Sequence, residues 1–335
     1  MPKISVIIVN WNGKDFLDIC LSSLRSQTCF DFETLLVDNG SEDGSVAFVR
    51  QHFPEVRVIA LDRNLGFAAG NLAGYNEAQG ELIVLLNNDT RADPAWIEQI
   101  ALAAASFPEM GSFACKMLYF DEPSRIENCG FDLSAFGATV ELGRDEPDGS
   151  EWAQPRRVFG ACGGGAVYRR SMLREIGFLD PKFFLIYEDV DLAFRAQWRG
   201  FECLYLPKAI VYHRYRSTIG KGSVTQAFYS QRNIELLYFK NMPLGLLLRG
   251  LPQRCLYELG ATIYFFRLGL GGTFFRAKVQ ALRLLPSMWN DRRRILKARA
   301  VSSAQLRGMM KSTALLGKWR KLLSLWKRPR ASAVL

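Results

Sequence analysis

Histidine is almost absent from this 335-residue chain, which has only His52 and His213. The seven cysteines are odd in number, widely scattered and form no Cys-x-x-Cys pair. That usage argues against both a thiolate–imidazole zinc cage and a disulfide framework, and fits a reducing, cytosolic setting. Neither G-x-G-x-x-G nor G-x-x-x-x-G-K-[ST] occurs, so two common glycine-rich cradles for nucleotide phosphates are missing. No internal repeat is visible. The most apolar stretch, residues 244–272, is broken by Arg249, Arg254, Glu258 and Arg267. A spanning helix needs about twenty mostly uncharged residues, so no transmembrane segment is expected. The N-terminal MPKISVIIVN holds one lysine and an apolar run too short for a secretory signal, and it reads as a first strand.

Charge is present but unevenly placed. The net +10 conceals a segment from Arg276 to Arg330 with sixteen Lys or Arg and a single acid, Asp291. That segment carries +15, leaving −5 for the remainder. The basic character thus belongs to the C-terminal part of the chain, and two regions are expected. Residues 1–240 are expected to form one mildly acidic α/β domain, and residues 241–335 a basic helical region. In the latter, Leu322, Leu323, Leu325 and Trp326 alternate with lysines and arginines, as in helices that lie in a membrane interface. A helical subdomain with a solvated basic face explains the same pattern.

From Ile4 to about Phe120, short β-branched runs alternate with helical periodicity. SVIIVN precedes a helix in which Phe16, Cys20 and Leu24 recur every four residues. ETLLVD, VRVIALD and ELIVLLN are each followed by a turn and a helical pattern. This order predicts a mostly parallel sheet with helices on both faces. Residues 121–155 read as an excursion over the sheet, an irregular hairpin. FGACGGGAVYRR reads as a strand entered through glycines, FECLYLP and AIVYHRY as two more strands, and a helix is expected from Glu188. Beyond about Ser217 the pattern is wholly helical.

In such a sheet, ligands bind beyond the carboxyl ends of the strands. Three successive ends here deliver polar groups to one rim. Asp38 can accept the imide N–H of a pyrimidine base, although Asp-Asn-Gly-Ser is also good turn chemistry. Gly66 and Gly70 allow close approach to backbone, and the helix start offers N–H groups to a phosphate. A plain glycine turn accounts for them equally well. Asn87, Asn88 and Asp89 close a buried strand with oxygen donors suited to Mg²⁺ or Mn²⁺, unless Asp89 caps the helix near Pro94. Glu188, Asp189 and Asp191 include a candidate general base. Acids in a first helical turn are also explained by the helix dipole. His213 ends a strand and is a candidate metal ligand, while His52 receives no role.

Together, SVIIVNWNG, VDNGSEDGS, NLGFAAGN, LNNDT, GACGGGAVYRR, GFLDPKFFLIYEDVDLAFR, VYH and SQRN resemble the inverting GT-A glycosyltransferases of family 2, rhamnosyltransferase-like members in particular. The resemblance covers about residues 3–240 and implies a GT-A fold, Rossmann-like, with a nucleotide-sugar donor and a divalent cation (Mn²⁺ or Mg²⁺). By position, Asn10 and Trp11 would line the nucleobase pocket and Asp38 would bond the base, with Arg63, Asn64 and Gly66 near the nucleotide. Asn88 and Asp89 occupy the DxD-like position, where Asp89 would hold the metal. Asp189, beside Glu188, matches the catalytic base. His213 would complete the metal shell, and Gly164 and Gly165 would floor the cleft. Asn87 stands where a strict DxD has its first Asp. SQRN replaces the QxxRW of processive synthases, which implies one sugar added per event.

The expected donor is dTDP-rhamnose, with a UDP-hexose as the alternative. The expected acceptor is a lipid-linked or cell-surface glycan, reached by a cytoplasmic protein held peripherally on an anionic membrane. Nucleic acid is not expected as a partner, because the tail's tryptophans sit in Leu-rich helical patterns. A nucleotidylyltransferase would carry a Gly-rich, Lys-containing N-terminal loop, which is missing, and nothing indicates the paired carboxylates of a glycoside hydrolase. A module that had lost catalysis is disfavoured by the retention of Asp38, Asp89 and Asp189.

Overall fold

A computed structural model describes residues 3–134, 138–214 and 223–311. The N-terminal half runs β1 (Ile4–Asn10), α1 (Lys14–Arg25), β2 (Phe32–Asp38), α2 (Ser45–His52), β3 (Arg57–Ala60), α3 (Gly66–Glu77), β4 (Leu82–Asn87), β5 (Thr90–Ala92) and α4 (Trp96–Ser106). It is followed by β6 (Ser112–Tyr119), β7 (Ile126–Asn128), β8 (Phe131–Ser134), β9 (Thr139–Glu141), β10 (Arg156–Val158), β11 (Gly165–Arg169), α5 (Arg170–Ile176), α6 (Glu188–Trp198) and β12 (Cys203–His213). The remainder is α7 (Val224–Asn241), α8 (Leu244–Arg267), α9 (Gly271–Lys297), α10 (Ser303–Gly308) and the two-residue β13 (Met310–Lys311). The basic Leu/Trp pattern at 318–328 lies outside the described residues.

The main sheet is ordered β10-β12-β6-β11-β4-β1-β2-β3, with β5 paired to β12 and β7 to β6. Its central strands β1, β4 and β11 are largely apolar and buried because both faces are covered. Ile4, Val6 and Ile8 pack with α1 and α4, whereas Ile7, Leu35 and Val37 pack on the side of α3 and α6. Pairing is parallel among β4, β1, β2 and β3, and its register sets Asn10 beside Asp38 and Val9 beside Asn87. The strand ends therefore finish level. β11 runs antiparallel to both β4 and β6. Its glycine-rich entry, rather than its end, consequently lies at the same rim.

Several expectations need correction. Residues 203–213 form one strand, not two, with Pro207 absorbed in a register shift between Leu206 and Ile210. The excursion at 121–155 is more ordered than a hairpin: β7 joins the main sheet, and β8 pairs with β9 and with β13. That last pairing also interrupts the wholly helical C-terminal pattern. Asp93, not Asp89, serves the start of α4, accepting the Ala95 N–H at 3.0 Å. No described helix is long and apolar enough to cross a membrane.

One loop governs how α6 is presented. Phe184, Ile186 and Tyr187 all have positive φ (64°, 68° and 77°), a region that bulky side chains occupy at a cost. Two neighbouring residues of α7 hold the loop there. The Asn233 amide donates to the carbonyls of Phe183 (2.8 Å), Leu185 (2.8 Å) and Ile186 (2.6 Å). Arg232 donates to those of Lys182 (2.9 Å) and Phe183 (2.6 Å). Asn233 is fully buried. Without its amide, Leu185 and Ile186 would lose these bonds inside a strained loop. Asn233→Ala is therefore predicted to lower the unfolding free energy by about 2–4 kcal/mol in urea denaturation. Asn233→Asp should not rescue it, since a carboxylate cannot donate. A change below about 0.5 kcal/mol, the range of ordinary surface substitutions, would show that the loop keeps its shape without Asn233.

Candidate active site

The rim of the sheet carries a continuous chain of polar side chains. Asn88, just past β4, donates from Nδ2 to Asn10 Oδ1 (2.7 Å), and Asn10 donates from its own Nδ2 to Asp38 Oδ1 (3.2 Å). The Ser41 N–H bonds Asp38 Oδ2 at 2.9 Å. Asn10, Asp38 and Asn88 are all buried. Gly13 is required by this packing, because a Cβ there would sit 2.3 Å from Asn88 Nδ2 and 2.7 Å from Asn10 Oδ1. Trp11, in contrast, is 45% exposed at the edge. Each Asp38 oxygen retains acceptor capacity after these bonds.

Asn39 extends the chain toward β3. It donates to Asn64 Oδ1 (3.1 Å) and the Gly66 carbonyl (3.1 Å), and accepts the Leu65 N–H (2.9 Å). Asn64 Oδ1 also accepts the Gly66 N–H (2.8 Å), and Ala68 N–H donates to the Phe184 carbonyl (3.0 Å). The start of α3 was expected to offer its N–H groups to a phosphate. Those of Leu65, Gly66 and Ala68 are instead taken by protein acceptors. The close approach expected at Gly66 is likewise made by the protein, since a Cβ there would lie 2.6 Å from the Phe184 ring. Gly70 accommodates Val9. Arg63 is exposed beside Gly40.

On the other side of β4, Asp89 meets β12. His213 Nε2 lies 3.1 Å from Asp89 Oδ1, and His213 Nδ1 lies 2.6 Å from Glu127 Oε2. All three side chains are buried. Burial alone would lower the imidazole pKa, but the two carboxylates outweigh it and raise His213 to about 10. At neutral pH the ring is therefore an imidazolium. Asn87 Nδ2 lies 3.2 Å from the same Nε2.

Asp189 faces this arrangement from the first turn of α6. Its Oδ2 accepts the Gly163 N–H (2.9 Å) and its Oδ1 the Val190 N–H (2.7 Å). The next residue, Gly164, accepts the Asn87 N–H through its carbonyl (3.2 Å). A Cβ on Gly164 would come within 2.8 Å of Met117 Cε, while Gly165 packs on Cys115 and Met117 beneath. Burial raises the Asp189 carboxyl above its usual range, although the two backbone N–H groups oppose the shift. Burial, and then the charge of Asp189, push Glu188 up much further, and its Oε2 has no hydrogen-bond partner. Asp191 is set apart from the site. It is fully buried and bonded to Lys240 (2.9 Å), Arg195 (2.9 Å) and Asn241 (2.8 Å). Despite its burial, those cations hold its carboxyl below the usual range.

Glu127 had no sequence signal. It is one of many acids in the irregular segment, and only the pairing of β7 with β6 brings it beside β12. The loop-holding role of Arg232 and Asn233 was equally hidden, although SQRN had marked the place.

The chain is similar to proteins of known class. At 27% identity over 239 residues, the chain is similar to an O-antigen biosynthesis protein of Myxococcus xanthus; the match covers 68% of this chain and only 18% of that much longer protein. It is 26% identical over 239 residues to an N-acetylglucosaminyl-diphospho-decaprenol L-rhamnosyltransferase of Mycobacterium tuberculosis, covering 64% of this chain and 77% of that one. Among solved structures, GalNAc-T7 with UDP, GalNAc and Mn²⁺ superposes with a TM-score of 0.56 at 16% identity, over 72% of this chain and 50% of that chain. That likeness shows a GT-A fold. The family model for glycosyl transferase family 2 matches residues 5–177, more than half of the sequence, and the chain belongs to that family.

Proposed function

We propose that this nucleotide-sugar transferase moves a single sugar, rhamnose in the first instance, to a hydroxyl of a lipid-linked or cell-surface glycan with inversion at the anomeric carbon. Residues 1–240 would form the transferase domain and residues 241–335 a basic helical region. The protein would work peripherally at the cytoplasmic face of an anionic membrane. Rhamnose is favoured by the mycobacterial relative, whose name states that sugar, and a UDP-hexose is the alternative donor. The observation that carries the reading is the Gly163–Gly164 step. One residue bonds Asp189 and the next bonds the strand end that bears Asp89.

In this reading Asn10, Trp11, Asp38, Arg63 and Asn64 receive the nucleotide, with Asp38 accepting from the base. Among the described residues no group of three His, Cys, Asp or Glu side chains forms a metal cage. Glu127 bonds the far nitrogen of His213 and so cannot share a cation with Asp89. The remaining pair nevertheless fits an octahedral Mg²⁺ or Mn²⁺. Its 3.1 Å separation matches the roughly 3 Å between two adjacent ligands with bonds of about 2.1 Å. Diphosphate oxygens would supply further positions. A cation so held neutralises charge on the leaving diphosphate. Glu127 fixes the orientation of the His213 ring. Asp189 accepts the proton of the attacking hydroxyl, and its raised pKa suits a general base. Burial and the charge of Asp189 push the Glu188 carboxyl beside it well above the usual range, which favours Asp189 over Glu188 as the base.

Three outcomes test the reading. Calorimetric titration with dTDP-rhamnose or a UDP-hexose should give Mn²⁺-dependent binding of one donor that Asp89→Ala abolishes. Absence of binding by any donor would sink the cleft assignment. Asp189→Asn should lower kcat by about 10²–10⁴-fold while donor affinity stays within about twofold. An equal loss of donor affinity would place Asp189 in binding instead. Finally, a cation must displace the proton that His213 holds up to about pH 10, so metal affinity should rise with pH below that value. Titrations in buffers of different ionisation enthalpy should show about one proton released per Mn²⁺ at pH 7.5 in the wild type and about none in His213→Gln. No release from the wild type would exclude His213 as a ligand.

A further inference from the structure

Exposed large apolar side chains are concentrated on α8 and α9. Along α8, Leu244, Leu248, Leu251, Leu259 and Phe266 recur at intervals that keep them on one face, and all are exposed. Along α9, Phe275, Val279, Leu282 and Trp289 do the same. The two stripes meet at the turn between the helices, where the Phe266 and Phe275 rings contact each other at 5.8 Å. A patch of this extent on a soluble protein marks a surface that something covers.

Its charge identifies the partner. Glu258 and Asp291 are the only acids in α8 and α9, and both are taken up in ion pairs. Glu258 is paired with Arg254 and Lys278 (2.7 Å each), and Asp291 with Lys182 and Arg294 (2.8 Å each). Exposed arginines at 249, 276 and 283 immediately follow the stripe residues Leu248, Phe275 and Leu282. Apolar side chains that enter a surface, flanked by cations that stay at its boundary, are the pattern of helices lying in an anionic lipid interface.

The position of the turn adds a second argument. Phe265 and Phe274 pack on Ala227 in the first turn of α7. Six residues further along α7, about 9 Å of helix, Asn233 holds the loop that leads into Asp189. The turn between α8 and α9 therefore packs less than two helical turns along α7 from the residue that holds the loop before Asp189.

We propose that the exposed face of α8 and α9 docks onto an anionic lipid bilayer and sets the cleft at the membrane surface, where a lipid-linked acceptor is available. The acceptor part rests on the glycan-transfer reading above, and the docking part assigns to α8 and α9 the membrane contact which that reading includes.

The test is flotation of the full chain with vesicles of phosphatidylcholine, alone or mixed with phosphatidylglycerol, with donor calorimetry and size-exclusion chromatography on the same samples. Wild type should float with the anionic vesicles. The variant Leu248→Glu, Leu259→Glu, Leu282→Glu alters side chains exposed by 62%, 56% and 66% and should fold normally. It should partition at least about tenfold more weakly and bind donor unchanged. A control variant, Lys318→Glu, Lys321→Glu, Lys327→Glu, should retain most of the binding. Absence of wild-type flotation would overturn the proposal. So would loss of binding only in the control variant, or a wild-type dimer that the leucine substitutions convert to monomer. Vesicle binding by a protein that binds no donor would still support the face and would count against the transferase reading alone.

Discussion

The backbone of Gly163 and Gly164 is the joint on which the site depends. Two peptide groups from one turn reach in opposite directions, one to the carboxylate of Asp189 and the other to the amide of Asn87. This works because β11 enters the sheet antiparallel between β4 and β6, so that its first residues, not its last, arrive at the ligand-binding rim. A parallel strand in that place would deliver a helix-bound exit there instead. Side chains at the joint would also interfere, as a Cβ on Gly164 would press on Met117. The link between the two carboxylate regions is thus made by main chain in the turn that leads directly into β11.

Around that joint the site divides into an over-bonded half and an under-bonded half. Asn88, Asn10 and Asp38 bond in series, and Asn39 bonds Asn64, before any ligand arrives, which preorganises the rim while leaving Asp38 acceptor capacity. Opposite them, Glu188 is buried with an unpartnered oxygen, and the loop before it is held in left-handed backbone by α7. Strain of this kind persists only where surrounding contacts over-determine it. Asn233 and Arg232 supply those contacts from a helix far away in sequence.

Much of the α/β half was legible from periodicity. The runs ending at Asn10, Asp38 and Asn87 are mostly apolar because both faces of their inner residues are buried, and the helix after the first of them shows its four-residue spacing. The rim could be anticipated because polar residues ending buried strands have few places to go. What could not be read depends on long-range pairing. Pro207 looked like a break between two strands, yet it sits in a bulge that the neighbouring β6 spans. Glu127 gains meaning only when β7 is laid against β6. At Gly66 the local signal was sound, but the group it admits is the ring of Phe184 from 118 positions downstream, which no local pattern encodes.

That contact at Gly66 has a bearing on protein engineering. The start of α3 and the loop before α6 share an interface in which a glycine, a phenylalanine ring and a carbonyl–amide bond between Phe184 and Ala68 fit one another. Segments 64–68 and 183–187 therefore behave as a single inheritable unit. A chimera that imports either from a relative without the other would have to rebuild the fit between Gly66 and the Phe184 ring.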